Sequence, residues 1–102
     1  MKPELTDLER KPFRTATIFS LESKDHLFTI RDLYTKTGTS RIVWLECLHH
    51  MILRGYLKRT KAKKGREYLY KLTEPGLKFA YFAKAIEETI KQLEIKARIE
   101  SD

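Results

Sequence analysis

The chain holds 102 residues, 41% of them hydrophobic and 34% charged, with a net charge of +7 and a single cysteine. That is the size of one domain; no apolar stretch is long enough to cross a bilayer and no charged-then-apolar leader is present, so a soluble, cytoplasmic protein is predicted. One cysteine excludes an intramolecular disulfide and a cysteine-rich zinc site, while four glycines and three prolines are too few for a low-complexity or collagenous chain.

In chain order, residues 1–11 read as an N-terminal arm or short helix, in which Thr6 and Glu9 have the spacing of a capping box. Pro12 suits the first turn of a helix, where its missing N–H costs nothing. A helix is predicted from residue 12 to about 23, with Phe13, Ala16, Thr17 and Ser20 on one side and Ile18 and Leu21 on another. Leu27 and Phe28 form a very short extended segment. Thr29 caps a helix from residue 30 to about 35, with Asp32 as its capping partner. A turn follows over residues 36–39, and Thr39 or Ser40 caps a further helix running to about residue 54. On that helix Trp44, Leu48 and Met51 share a face, Glu46, His49, His50 and Arg54 point away, and Gly55 is placed to end it.

Beyond Gly55 the period changes. Residues 56–62 and 66–72 read as two strands around a turn at residues 63–65, because Tyr68, Tyr70 and Leu72 alternate with Glu67, Leu69 and Lys71. Thr73, Glu74 and Pro75 then open a last helix that reaches about residue 99. Its Phe79, Ala83, Ile86, Ile90, Leu93 and Ala97 recur at alternating spacings of four and three, a heptad seam. A helix of ~25 residues is about 37 Å long, more than so small a domain covers. The seam is therefore read as a dimer interface with a second copy of the chain. The resulting division is an arm over residues 1–11, a domain over 12–76 and a dimerisation helix over 77–102.

The charge is unevenly spread. Residues 58–66 hold Lys58, Arg59, Lys61, Lys63, Lys64 and Arg66 with no acid, which accounts for +6 of the +7. One sign concentrated on one hairpin points to an anionic partner, nucleic acid being the commonest. A membrane surface fits less well, since the stretch is not an apolar-faced helix and carries no lipidation signal. No catalytic set is found: no paired carboxylates, no nucleophile with its base, no phosphate-cradling glycine loop. The protein is expected to be no enzyme and to need no cofactor. Cys47, His49 and His50 are not read as a metal site, because adjacent histidines on a helix diverge by about 100°. Cys47 is read as a packed or interface residue, with an intersubunit disulfide unusual in a reducing compartment. Tyr68 and Tyr70, interleaved with basic residues, fit either packing of the hairpin or stacking on unpaired bases.

Helix, short strand, helix, turn, helix, basic hairpin, long helix: in this order the sequence resembles the winged helix-turn-helix proteins of MarR-like and PadR-like type. The residues that carry the resemblance are Thr29-Ile-Arg-Asp-Leu, Thr39-Ser40-Arg41, Arg54-Gly55-Tyr56-Leu57-Lys58-Arg59 and the passage from Glu67 to Thr73-Glu74-Pro75-Gly76. Small proteins of this kind also occur in archaea and their viruses. The resemblance implies a mainly α fold with a small β-hairpin wing (α+β) and a homodimeric regulator of transcription, a repressor, bound to double-stranded DNA. Its third helix would enter the major groove, with Thr39, Ser40, Arg41, Leu45 and Glu46 near bases or phosphates. Its wing would bring Arg59, Lys61, Lys63, Lys64 and Arg66 to phosphates or the minor groove. Arg41 would fork onto guanine; Ile42, Val43 and Leu45 depart from the polar residues more usual there, which either weakens base-specific readout or implies contacts with thymine methyls. Pockets between lobe and dimer helix occur in the resembled family; the sequence identifies no effector. Two other readings fit the same residues: a sequence-neutral architectural DNA- or RNA-binding protein, and a protein-interaction winged helix.

Overall fold

The computed structural model describes residues 4–101 of the chain. Residues 1–3 and 102, the outer ends of the predicted arm and of the predicted last helix, lie outside the described residues. The elements are α1 (Leu5–Leu8), α2 (Lys11–Glu22), a 3-10 turn (Lys24–His26), β1 (Leu27–Phe28), α3 (Ile30–Thr37), α4 (Arg41–Leu53), β2 (Leu57–Lys64), β3 (Glu67–Leu72) and α5 (Glu74–Ser101). This is a mainly α fold with one three-stranded antiparallel sheet in the order β1-β3-β2.

The caps explain where the helices start. Thr29 accepts from the backbone N–H of Asp32 at 3.1 Å, and Asp32 accepts from that of Thr29 at 3.0 Å, a complete capping box for α3. Ser40 caps α4, and Thr73 caps α5 by accepting from the N–H of Gly76 at 3.0 Å. α4 ends in a Schellman motif: Gly55 turns to φ 83°, and the N–H groups of Gly55 and Tyr56 reach the carbonyls of Ile52 and Met51. The capping box expected at Thr6 and Glu9 is not formed. Glu4 stands at the N-cap of α1 with no side-chain cap, and the short helix is held by tertiary contacts of Asp7 and Leu8.

The core lies between α2, α3, α4, the first half of α5 and one face of the sheet. Phe13, Ala16, Thr17 and Ser20 of α2 are all buried, as the pattern predicted, and Trp44, Cys47, Leu48 and Met51 form the buried face of α4. Phe79 sits at the centre, 6.5 Å from the ring of Phe13 and 4.5 Å from that of Tyr56. The first turn of α5 runs so close to Tyr56 that a Cβ on Gly76 would lie 1.8 Å from the Tyr56 carbonyl oxygen.

One boundary differs from expectation. The hairpin turns at Gly65-Arg66, a two-residue loop with Gly65 at φ 65°, so Lys63 and Lys64 lie on β2 and pair with Tyr68 and Glu67. α5 is continuous through residues 76–77, residues before and after that point pack into one core, and Leu8 of α1 packs there too.

Candidate nucleic-acid interface

α4 and the β2–β3 hairpin stand side by side, and their outer surfaces hold the predicted site. The buried stripe of α4 fixes which residues face out. Trp44 points inward and its indole N–H donates to Thr37 Oγ1 at 2.8 Å, tying α4 to the end of α3. Opposite that stripe, by helical periodicity, stand Ile42, Glu46, His49 and Leu53, with Leu45 at the edge nearer the hairpin. All five are exposed. Thr39 and Ser40 are exposed where α4 begins.

Arg41 is exposed too, but its guanidinium is occupied. Nη1 and Nη2 donate to Glu67 Oε1 and Oε2 at 2.5 and 3.1 Å, a fork across to the first residue of β3. The hydrogen bond from Arg41 holds the Glu67 carboxyl below its ordinary range, and Glu67 in turn raises Arg41. At the other end of α4, Arg54 donates to Glu4 at 3.2 Å and to the buried Asp7 at 3.3 Å. Asp7 also accepts from the Tyr56 hydroxyl at 2.9 Å. The expected fork of Arg41 onto guanine is thus met by an internal partner of the same geometry.

On the hairpin, Lys58, Arg59, Lys61, Lys63, Lys64 and Arg66 are all exposed. β2 carries a bulge between Arg59 and Lys63, where the register against β3 shifts. Thr60 stabilises it by donating to the Leu69 carbonyl at 2.9 Å and accepting from the Ala62 N–H at 3.2 Å. The bulge brings two cations onto one ring: the Arg59 guanidinium lies 4.3 Å and the Lys63 ammonium 4.5 Å from the centre of Tyr68. Tyr70, by contrast, is buried against Phe28, so of the two tyrosines only Tyr68 is available on the wing surface.

Between α4 and the hairpin runs a groove of ≈ 600 Å³ lined by Leu45, His49, Ile52, Lys58, Arg59 and Tyr70. Its floor is apolar and its rim is cationic, which suits a sugar-phosphate strand. A second groove, between the start of α3 and the hairpin turn, brings Arg31 beside Lys64 and Arg66. Of the residues around the two grooves, Arg31 is the one that the sequence does not mark as part of the interface, because its place there depends on the hairpin's position.

Cys47 is buried against Met51, Sγ to Sδ 3.9 Å, and burial pushes its thiol up to about 11. It does not face the exposed His49 and His50. Among the described residues no group of three His, Cys, Asp or Glu side chains is placed to hold a metal, and no helix is long and apolar enough to cross a membrane.

The seam on α5 divides into two parts. Phe79 and Ala83 are fully buried in the chain's own core, which leaves them no surface for a partner, and Ile86 packs partly buried against that core. The reason is α2, which lies along the first half of α5. Arg14 of α2 donates through Nε to Glu87 at 2.6 Å and through Nη1 to the Leu8 carbonyl at 2.8 Å. Past Glu87, Ile90, Leu93 and Ala97 are exposed, as are Ile95 and Ile99.

No protein-family model and no curated protein sequence matches the chain. Solved structures do. The adhesin competence repressor AdcR of Streptococcus pyogenes matches with a TM-score of 0.72 at 15% identity, over 88% of this chain and 64% of that one. ZitR of Lactococcus lactis matches with a TM-score of 0.70 at 18% identity, over 91% and 69%. F-93 of the archaeal virus SSV1 matches with a TM-score of 0.65 at 26% identity, over 80% and 91%. The chain has the winged-helix fold, and it spans slightly less than two thirds of the length of AdcR.

Proposed function

We propose that this winged-helix chain is a homodimeric, sequence-specific regulator of transcription that binds double-stranded DNA and represses by occluding a promoter. The observation that carries the reading is the hairpin: residues 58–66 hold six cations without an acid, exposed beside the exposed face of α4 and across a cation-rimmed groove from it. In this reading α4 enters the major groove with Thr39, Ser40, Leu45 and Glu46 toward the DNA. Ser40 and the first N–H groups of α4 meet a phosphate. Arg59, Lys61, Lys63, Lys64 and Arg66 neutralise phosphates, with Lys64 and Arg66 nearest a flanking minor groove. Arg41 sets the angle between helix and wing.

The homodimer rests on α5. Its 28 residues span about 42 Å, and its second half carries Ile90 at the edge of the groove against α2, then Leu93 and Ala97 exposed beyond it. A second copy covers that stripe and sets two α4 helices about one helical turn apart on a two-fold operator. AdcR is named a repressor, which agrees with this reading.

Fluorescence anisotropy with labelled duplexes over a salt series tests it. Expected is a steep salt dependence together with preference for DNA upstream of the protein's own coding region over random DNA. Equal steepness without preference would replace it by a sequence-neutral architectural or RNA-binding role. Absence of salt-sensitive binding would sink the nucleic-acid reading.

A further inference from the structure

We infer that α4 reads its site through thymine methyl groups, with Glu46 accepting from cytosine amino groups, and not through a forked contact to guanine. This rests on the duplex-DNA reading above and names the bases that the interface selects.

The major-groove edges of the four base pairs differ in donors and acceptors, and thymine adds the one apolar feature among them, its 5-methyl group. Guanine is read by the forked donors of Arg or by Lys, and adenine by the paired donor and acceptor of Asn or Gln. α4, from Arg41 to Leu53, contains no Lys, Asn or Gln. The guanidiniums at its two ends, Arg41 and Arg54, are both held by carboxylates, Arg41 by Glu67 and Arg54 by Glu4 and Asp7. The outward face keeps Ile42, 77% exposed, and Leu45, 43% exposed, one turn apart and both near the helix start that enters the groove first. Beside them Glu46 offers acceptors only, which suits the amino group of cytosine.

Large apolar side chains exposed beside a hairpin of six cations have a defined occupant here, because the cations draw the polyanion and leave Ile42 and Leu45 against its groove. Water is then released from the two side chains and from the thymine methyls together. Each methyl covered is expected to tighten binding about fourfold. The wing, whose Lys and Arg touch phosphates, adds affinity without choosing a sequence.

The test uses the full chain and a duplex that the chain itself enriches from a random pool. The same duplex is synthesised with deoxyuridine in place of every thymidine, which deletes the 5-methyl groups and leaves base pairing intact. Expected is weaker binding of the deoxyuridine duplex, about fourfold for each methyl covered. In the Ile42→Ala, Leu45→Ala double variant, both side chains being exposed, the thermal midpoint and salt slope are expected to stay while the difference between the duplexes vanishes. Equal affinity of the native chain for both duplexes overturns methyl readout and leaves DNA binding standing. A difference that the double variant retains belongs to the shape of the DNA and also overturns it. Failure to bind any duplex overturns this inference and the proposed function together.

Discussion

Arg41 and Glu67 stand 26 positions apart and close the fork that sets the wing against α4. Glu67 titrates below its ordinary value of 4.5 because Arg41 hydrogen-bonds its charged form. A carboxylate with a depressed folded pKa adds stability that is present above its unfolded pKa and is lost as the pH falls through its folded one. The clamp is therefore expected to hold at neutral pH and to open only in acid, below pH 4.5. Glu67→Gln should open it at neutral pH with little change in thermal midpoint, since Arg41 is exposed and the amide keeps the shape of the half-buried Glu67 side chain. The freed Arg41 should then raise affinity for duplexes carrying guanine at the positions proposed to be read through thymine methyls, measured by anisotropy on paired oligonucleotides. Gly76 makes a different kind of demand. A Cβ there meets a backbone carbonyl that cannot move without dislodging the start of α5. Gly76→Ala is expected to cost ~3 kcal/mol, at the upper end for overpacking, seen as a lowered denaturation midpoint. Arg41 was legible in the sequence as a residue of the helix start. Its partner was not, because the hairpin register that brings Glu67 into reach is a property of the folded sheet.

Among the elements, the caps of α3, α4 and α5 and the buried faces of α2 and α4 were readable from spacing alone, since Thr29, Ser40, Thr73 and Gly55 act on backbone groups within a few residues of themselves. The seam on α5 was readable only as a seam. Periodicity states that Phe79, Ala83, Ile86, Ile90 and Leu93 face one way and is silent on what they face. α2 takes the first half because Arg14 and Phe13 bring it there, and the second half runs past the end of α2. Arg14 is nearly buried and ties three elements through Glu87 and the Leu8 carbonyl. Arg14→Ala is expected to destabilise the fold by ~1–3 kcal/mol, the range for losing hydrogen bonds made by a charged group. Hydrogen exchange should then show earlier opening of α1 and of α5 around Glu87 than of the hairpin. Strand limits were less legible: a bulge and a two-residue turn displace the pairing without altering the alternation of Tyr68, Tyr70 and Leu72.

At the scale of the molecule, the principal extents of 51 × 31 × 23 Å come from a rounded lobe with the end of α5 projecting from it. Leu93, 61% exposed on that projection, is a poor residue for a free surface and a good one for a two-fold contact. Leu93→Asp is expected to yield a monomer in sedimentation equilibrium, against the dimer proposed for the native chain. Its lobe should still melt cooperatively, and its thermal midpoint should lose the concentration dependence that a dimer imposes. DNA affinity should fall more steeply than the loss of one wing lysine would cause, because two half-sites are no longer joined. The winged-helix order was visible in the whole chain at once, in helices whose period gives way to a basic, alternating hairpin and then resumes. The geometry of the groove between α4 and the wing was not, since it depends on how the Trp44–Thr37 and Arg41–Glu67 contacts orient the pieces that form it.

One strand has a second consequence. β2 is an open edge of the sheet, bonded to β3 on one side only, and over eight residues it is long enough for another chain to add a strand to it. The bulge after Arg59 breaks the flat template, and the five Lys and Arg side chains along β2 make the approach of an identical strand repulsive. The charges proposed to hold DNA thus also keep copies of the protein from zipping together edge to edge. Alanine replacement of Lys61, Lys63 and Lys64 together should raise light scattering on standing at low salt, even while circular dichroism of the fresh sample is unchanged. Such a variant would lose solubility alongside affinity, and adding nucleic acid to the native chain near charge balance should bring the same stickiness to light.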